Sequence, residues 1–271
     1  MGKRRHYLAA GLIGVAVMGP VQAQDGGTQA GLTLSPGLFY EDEETRARLG
    51  FGVTFESATR SQRFALGFDG AFDSGYDDIA DSLRTPRLTL SYGLESRATA
   101  LETSLTYQRA KISALVFADD LESDFLVAGT GQRADLNTRA SLNFGRDAPF
   151  GGTFDLGYSQ RTYLDTVDPA LLDEATRSAG VSLRFVIDPR VTATLATRGS
   201  ETDVDSPGTD QRSASVSAGL EMAVNPALTA SVTLGGNRIT DTTIVGTDTF
   251  EGATAALSAT QEMSGGAVTG R

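Results

Sequence analysis

The chain has 271 residues, 23 Lys and Arg against 34 Asp and Glu, no cysteine and one histidine. Nucleic-acid binding needs clustered Lys and Arg, so this acidic balance excludes it; the missing cysteine excludes disulfides and thiol chemistry. The one histidine, His6, lies in a segment read below as a cleaved leader, which removes Ser–His and Cys–His catalysis and His- or Cys-ligated zinc.

Residues 1–23 have the pattern of a secretory signal peptide. Lys3, Arg4 and Arg5 precede an apolar core, Leu8–Gly19, and Pro20-Val21-Gln22-Ala23 ends on a small residue suited to cleavage after Ala23. The core is shorter than the roughly 20 apolar residues a membrane-spanning helix needs. Removing its three basic residues leaves 20 against 34, a formal charge of −14. No Pro- or Ser-rich linker divides the remainder, and roughly 250 residues suit one large all-β domain.

Gln24–Gly31 reads as a short periplasmic leader, followed by residues 32–260 as one β domain. Leu32, Leu34, Leu38 and Tyr40 alternate along a first strand, where Pro36 suits an edge. Arg46–Phe72 has the clearest pattern in the chain. Ala47, Leu49, Phe51, Val53 and Phe55 occupy one parity, then Phe64, Leu66, Phe68 and Phe72 resume after the break Ser57–Ser61. Such period-2 alternation puts apolar side chains on one face of a strand, and the tight break predicts an antiparallel hairpin. The pattern continues through Leu88–Leu94, Leu101–Tyr107, Leu136–Phe144 and Phe154–Tyr158.

The last third contains a repeat. Arg177–Ser182 is echoed by Arg212–Ser217, and Ile187–Thr194 by Val224–Ser231, at spacings of 35 and 37 residues. Asp188-Pro189 and Asn225-Pro226 initiate turns, because proline fixes its own φ and holds the preceding residue extended. A degraded third copy is read at Glu251–Thr269, with Met263–Gly266 at the turn position.

The pattern predicts twelve strands whose connections alternate between short turns and longer acidic loops. The longer ones are read at Asp73–Pro86, Arg109–Arg133, Tyr163–Thr176, Gly199–Gln211 and Asn237–Thr249. Short turns at one end and long loops at the other mark an outer-membrane barrel. No charge falls mid-strand on the face of Leu142, Leu156, Leu183, Leu195, Leu220 and Leu234, whereas the opposite face holds Arg63, Asp69, Asp135, Asp155, Arg184 and Glu221. The fold class is therefore all-β, an antiparallel up-and-down transmembrane β-barrel of about twelve strands.

On this pattern and its repeated Asp/Asn-Pro turns, Leu32 to Thr260 resembles the porin-like outer-membrane β-barrel proteins of Gram-negative bacteria. The resemblance implies a passive channel for small polar or anionic solutes, with outer-membrane lipid, small polar solutes and the barrel-assembly machinery as partners. The alternative is a non-conducting structural barrel, or one for polysaccharide or surface-assembly export. Such barrels usually end on a C-terminal aromatic, whereas this chain ends Ala267-Val268-Thr269-Gly270-Arg271. Residues 261–271 are accordingly read as a turn and tail, or as the start of a further strand in a truncated chain.

No catalytic, cofactor or metal residues are expected. Glu41–Glu44, Asp119, Asp120, Glu122, Asp124, Asp203 and Asp205 supply carboxylates for calcium, but in no calcium-loop pattern, so solvated loops account for them better. Inward glycines such as Gly67, Gly157, Gly180 and Gly219 fit barrel geometry. The candidate site is a lumen-lining basic rim near the loop-side strand ends: Arg46, Arg48, Arg87, Arg139, Arg161 and Arg198. These arginines either pair with carboxylates such as Asp69 and Asp135 to fill a narrow lumen, or form an anion-favouring constriction. The apolar runs Ile112–Phe117 and Phe125–Ala128 suggest that the longest loop either folds inward or extends a hairpin above the membrane.

Overall fold

The computed structural model describes residues 10–11, 15–23, 26–41, 44–74, 83–112, 131–166, 171–205, 209–225, 227–263 and 266–270. Two short segments come first, β1 (Ala10–Gly11) and β2 (Val15–Ala23). The next strands are β3 (Gly26–Glu41), β4 (Glu44–Ala58), β5 (Gln62–Asp73), β6 (Leu83–Glu95), β7 (Thr99–Lys111) and β8 (Gln132–Phe144). They continue as β9 (Phe150–Leu164), β10 (Glu174–Asp188), β11 (Val191–Val204), β12 (Thr209–Asn225), β13 (Leu228–Thr243), β14 (Gly246–Met263) and β15 (Gly266–Gly270). β3 to β14 are the twelve antiparallel, up-and-down strands of the expected fold class.

Residue contacts divide the chain into two units. The first comprises Met1–Gly93, Ser104–Asn137 and Arg161–Leu171; the second comprises Leu94–Thr103, Thr138–Gln160 and Leu172–Arg271. In the first unit the bonded order is β1-β3-β4-β5-β6-β7-β8, with β2 also on β3. In the second it runs from β8 in sequence order to β15.

Pairing converts the sequence alternation into rows. In the first unit Leu34 sits opposite Phe51, Leu32 opposite Val53, and Val53 opposite Phe68. Phe51 stacks on Phe72 at 5.1 Å and tilts against Phe68 at 5.4 Å. In the second unit Leu183 faces Leu195, Ala193 faces Leu220, Leu220 faces Val232, and Val232 faces Leu257. A strand slipped by one residue would turn each of these side chains to the other face.

Burial is inverted relative to a water-soluble protein. Leu234 is 59% and Leu257 72% exposed, with Val216, Leu156, Phe154 and Phe68 exposed beside them on their strands. Among the described residues Ile112 is the only buried large apolar side chain, while Asp73 and Asp135 are buried. Covering so many exposed apolar side chains takes an apolar solvent, and a sheet satisfies its backbone groups there through strand pairing.

The short turns bond their own polar groups. Asp188 Oδ1 accepts from the Arg190 N–H at 3.0 Å, and Asn225 Oδ1 accepts from the Ala227 N–H at 2.8 Å, so the repeated turns share one side-chain cap. Both follow a register shift, at Val186/Asp188 and at Ala223/Asn225. On the other side of these strands the Val186 N–H donates to Pro149 O, and the Ala223 N–H to Arg190 O. The repeat in sequence is therefore a repeat in backbone geometry.

Several expectations are corrected or extended. Gly199–Gln211 and Asn237–Thr249 are mostly strand, not long loops, since β11 runs to Val204, β12 starts at Thr209, β13 runs to Thr243 and β14 starts at Gly246. Their Ser, Thr and charged side chains carry no apolar face, but ladder bonds to neighbouring strands hold them extended. Residues 26–31, read as a leader, belong to β3, with Gly27 opposite Ala58 and Gly31 opposite Thr54. Val15–Ala23 pairs with Gly26–Leu34. At the other end β15 pairs with β14, from Met263–Gly266 to Ala259–Gly270. Asp78, Asp119, Asp120, Glu122, Asp124 and the apolar runs between residues 113 and 130 lie outside the described residues.

Candidate functional site

The inner face is the side opposite the apolar rows, and two clusters of its ionic groups lie near the loop-side strand ends. Arg48, an even position on β4, lies directly across from Asp73 on β5. Its guanidinium grips the carboxylate through both oxygens, Nε at 2.6 Å and Nη2 at 2.9 Å. Arg84 Nε approaches the same buried Asp73 at 3.4 Å. Arg84 has the parity of the outward Leu88 and Leu90, yet it reaches an inward carboxylate. Thr85 adopts φ 44° between them, which breaks the alternation.

A second cluster in the same unit repeats this composition. Arg133 Nε donates to Asp135 Oδ2 at 2.8 Å, Arg161 Nε donates to Oδ1 at 3.2 Å, and Gln108 Nε2 reaches Oδ2 at 3.4 Å. Each cluster is one buried carboxylate flanked by two guanidiniums. A buried carboxylate is tolerable only with such partners, and bidentate arginine supplies them well. A crevice of about 480 Å³ at the end of β3–β5 is bordered by Pro36, Leu49, Phe72, Ser74 and the Arg48–Asp73 pair.

Of the six expected rim residues, Arg48 and Arg161 are thus brought into clusters with Asp73 and Asp135. Arg48 takes Asp73 as its partner, a carboxylate not among those expected for the rim arginines. By strand parity Arg46, Arg87, Arg139 and Arg198 lie on the inner face, and Arg198 Nε rests over Gly180 near Asp155 Cβ. Sequence reasoning missed Asp73, Arg84 and Arg133. Asp73 continues the inward phase of Asp69 and Ala71, and Arg133 that of Asp135, so two of the three were within reach. Of the calcium candidates, Asp203 pairs with Arg177 at 3.5 Å.

The rest of the inner face in the second unit is small and hydroxyl-rich. One row is Ser182, Ala196, Ser217, Gly235 and Thr254; the next is Arg184, Thr194, Gly219, Thr233 and Ala256. Glycine has a packing role here: a Cβ at Gly219 would lie 2.6 Å from Thr194 Oγ1, and one at Gly157 2.5 Å from Ser178 Oγ. At the opposite, short-turn end, Arg184 Nη2 donates to the carbonyls of Gly145, Arg146 and Ala148 at 2.9, 3.1 and 3.2 Å. Two reciprocal ion pairs, Arg146–Glu95 at 2.6 Å and Arg97–Asp147 at 3.3 Å, tie this turn to the β6–β7 turn. The hydrogen bond and charge of Glu95 raise the Arg146 pKa further above its ordinary value.

Twelve antiparallel, up-and-down strands with one apolar and one polar face have the fold of a transmembrane β-barrel. No family model and no curated protein matches the chain. Among solved structures, the outer membrane channel DcaP of Acinetobacter baumannii matches 92% of this chain and 84% of its own, at 11% identity and a TM-score of 0.51. OmpT, an outer membrane protein of Vibrio cholerae, matches 93% of this chain and 97% of its own, at 8% identity and a TM-score of 0.43. The likeness to DcaP supports the fold.

Proposed function

We infer that this chain is a porin-like passive channel of the Gram-negative outer membrane, admitting small polar or anionic solutes. The observation that carries the reading is the small, hydroxyl-lined inner face of β10–β14, where the row from Ser182 to Thr254 holds no large side chain and the row from Arg184 to Ala256 holds one, Arg184. A barrel filled for structure alone packs its interior with bulk. The preference for anions rests on the arginines gathered on the inner face near the loop-side strand ends, Arg48, Arg84, Arg133 and Arg161. The DcaP likeness agrees with a channel as far as fold can.

In this reading the ends with Asp205 and Ile244 face outward and the turns at Pro189 and Pro226 face the periplasm. Cleavage after Ala23 removes β1 and β2 and releases the β3 edge that they occupy. Planar-bilayer recording tests the function. The parent should conduct, and replacing Arg46, Arg48 and Arg139 by Ala should shift the reversal potential towards cations. A folded parent with a β spectrum and no conductance would favour the structural or export barrel instead.

A further inference from the structure

The small, polar inner face of β10–β14 is interrupted at one place. Ile239 on β13 lies directly across from Phe250 on β14, and Phe250 is 60% exposed. Among the described residues it is the one aromatic on this face of the five strands, since it has the opposite parity to the outward Leu257 and the β13–β14 register is unbroken between them. In the row nearer the Ile244 turn, Asp241 lies directly across from Asp248, and Gln211 Nε2 donates to Asp241 Oδ1 at 2.9 Å. In the row on the other side, Asn237 lies across from Gly252. Its Oδ1 fills the room left by the missing side chain, 2.5 Å from where a Cβ on Gly252 would stand.

Strand pairing does not account for this patch. Like charges directly opposite weaken a strand pair, and an exposed ring on a polar face gains nothing from burial. We propose that the patch is a carbohydrate subsite, in which a neutral hexose unit stacks on Phe250 and bonds through its edge hydroxyls to Asp241, Asp248 and Asn237. This rests on the channel reading above and names a solute class for it. With the Ile244 end facing outward, solute meets the patch on entry.

A hexose ring presents C–H groups on its faces and hydroxyls around its edge. Phe250 offers a flat apolar surface to the face. Asp241 and Asn237 are four residues apart on β13, about 13 Å along the strand, and the Phe250 row lies midway. A ring seated on Phe250 therefore has the two carboxylates at one edge and the amide at the other. Sugar hydroxyls both donate and accept, and the surroundings match both roles. The carboxylates only accept, the Asn237 amide donates and accepts, and the hydroxyls of Ser213 and Ser215 stand in the adjacent positions on β12. An anion would be repelled by the paired aspartates, because Arg198, in the row of Asn237, is two strands away, about 10 Å. A cation would suit the carboxylates but brings no acceptor for the Asn237 N–H groups.

The test uses the folded full-length chain in detergent micelles, with maltotriose and cellotriose as probes. Saturation-transfer NMR, referenced to empty micelles, reads which ligand protons touch the protein. The ring-face protons of at least one trisaccharide should take up saturation. Phe250→Ala should raise its Kd about tenfold, the loss of one stacking contact, and Phe250→Tyr should restore most of the binding. Asp241→Ala with Asp248→Ala should weaken it at least as much. No saturation of either probe by the parent, or equal Kd in the parent and Phe250→Ala, would overturn the subsite. So would phenyltrimethylammonium binding that disappears in the aspartate variant while neither trisaccharide binds, since the ligand would then be an organic cation. Gel mobility before and after boiling checks that each variant folds, and bilayer conductance separates the two readings. A conducting parent that binds no trisaccharide fails only as a sugar subsite, whereas Phe250-dependent binding without current keeps the subsite and removes the channel.

Discussion

Substituting arginine along one face of β12 tests whether the exposed apolar band meets lipid. Ala214, Val216, Ala218, Leu220 and Met222 alternate on this face and all are exposed. Eight residues separate Ala214 from Met222, about 27 Å along the strand and about 20 Å along the normal at a tilt of roughly 40°. That nearly fills an apolar band of about 25 Å, so Ala218 falls near mid-depth and Ala214 near the rim. Ala218→Arg removes only a methyl group, and its effect is therefore almost wholly the cost of placing a charge. The expected destabilisation is about 2–4 kcal/mol at Ala218 and about 0–1 at Ala214. Leu220→Arg, corrected by Leu220→Ala, should resemble Ala218→Arg. Equilibrium denaturant unfolding in lipid vesicles measures the profile. In water, exposed positions like these would change stability by about 0.5 kcal/mol or less. A profile that flat along β12 would refute the assignment of this face to lipid.

Arg184→Ala removes a guanidinium nitrogen whose two N–H groups are shared among three carbonyls of the β8–β9 turn and should cost about 1.5–3 kcal/mol, at the low end because the turn borders water; amide exchange at Asp147 and Phe150 should rise, with Arg184→Lys intermediate. Gly219→Val should destabilise by about 1–3 kcal/mol through its clash with Thr194 Oγ1, and Thr194→Ala should restore part of the loss in the same unfolding assay. Exchanging the signs of the Arg146–Glu95 pair one residue at a time should lower Tm at low salt, with the double exchange restoring it and high salt erasing the difference. The raised Arg146 pKa adds stability that is lost only as pH rises through the folded value, above any working pH, so the arginine's own titration leaves this effect unchanged across neutral pH.

Which face each residue takes was legible in the sequence, because a strand's period of two assigns side chains alternately wherever φ and ψ stay extended. That sufficed for Phe51 and Phe68 outward, for Arg48 and Asp135 inward, and for the matched turns at Pro189 and Pro226. Other features depended on partners remote in the chain. Residues 199–204 and 237–243 have no apolar alternation, and only the ladder from adjacent strands holds them extended. Glu201 and Asp203 therefore lie on strand β11 with the parity of Leu195, where a loop reading left them no place. Arg84 joined Asp73 because one residue, Thr85, enters the left-handed region and ends the parity rule. Which arginine meets which carboxylate is set by strand register, and register follows from pairing many residues at once. Local spacing could place Arg48 and Asp69 on one face, but tertiary pairing put Arg48 across from Asp73.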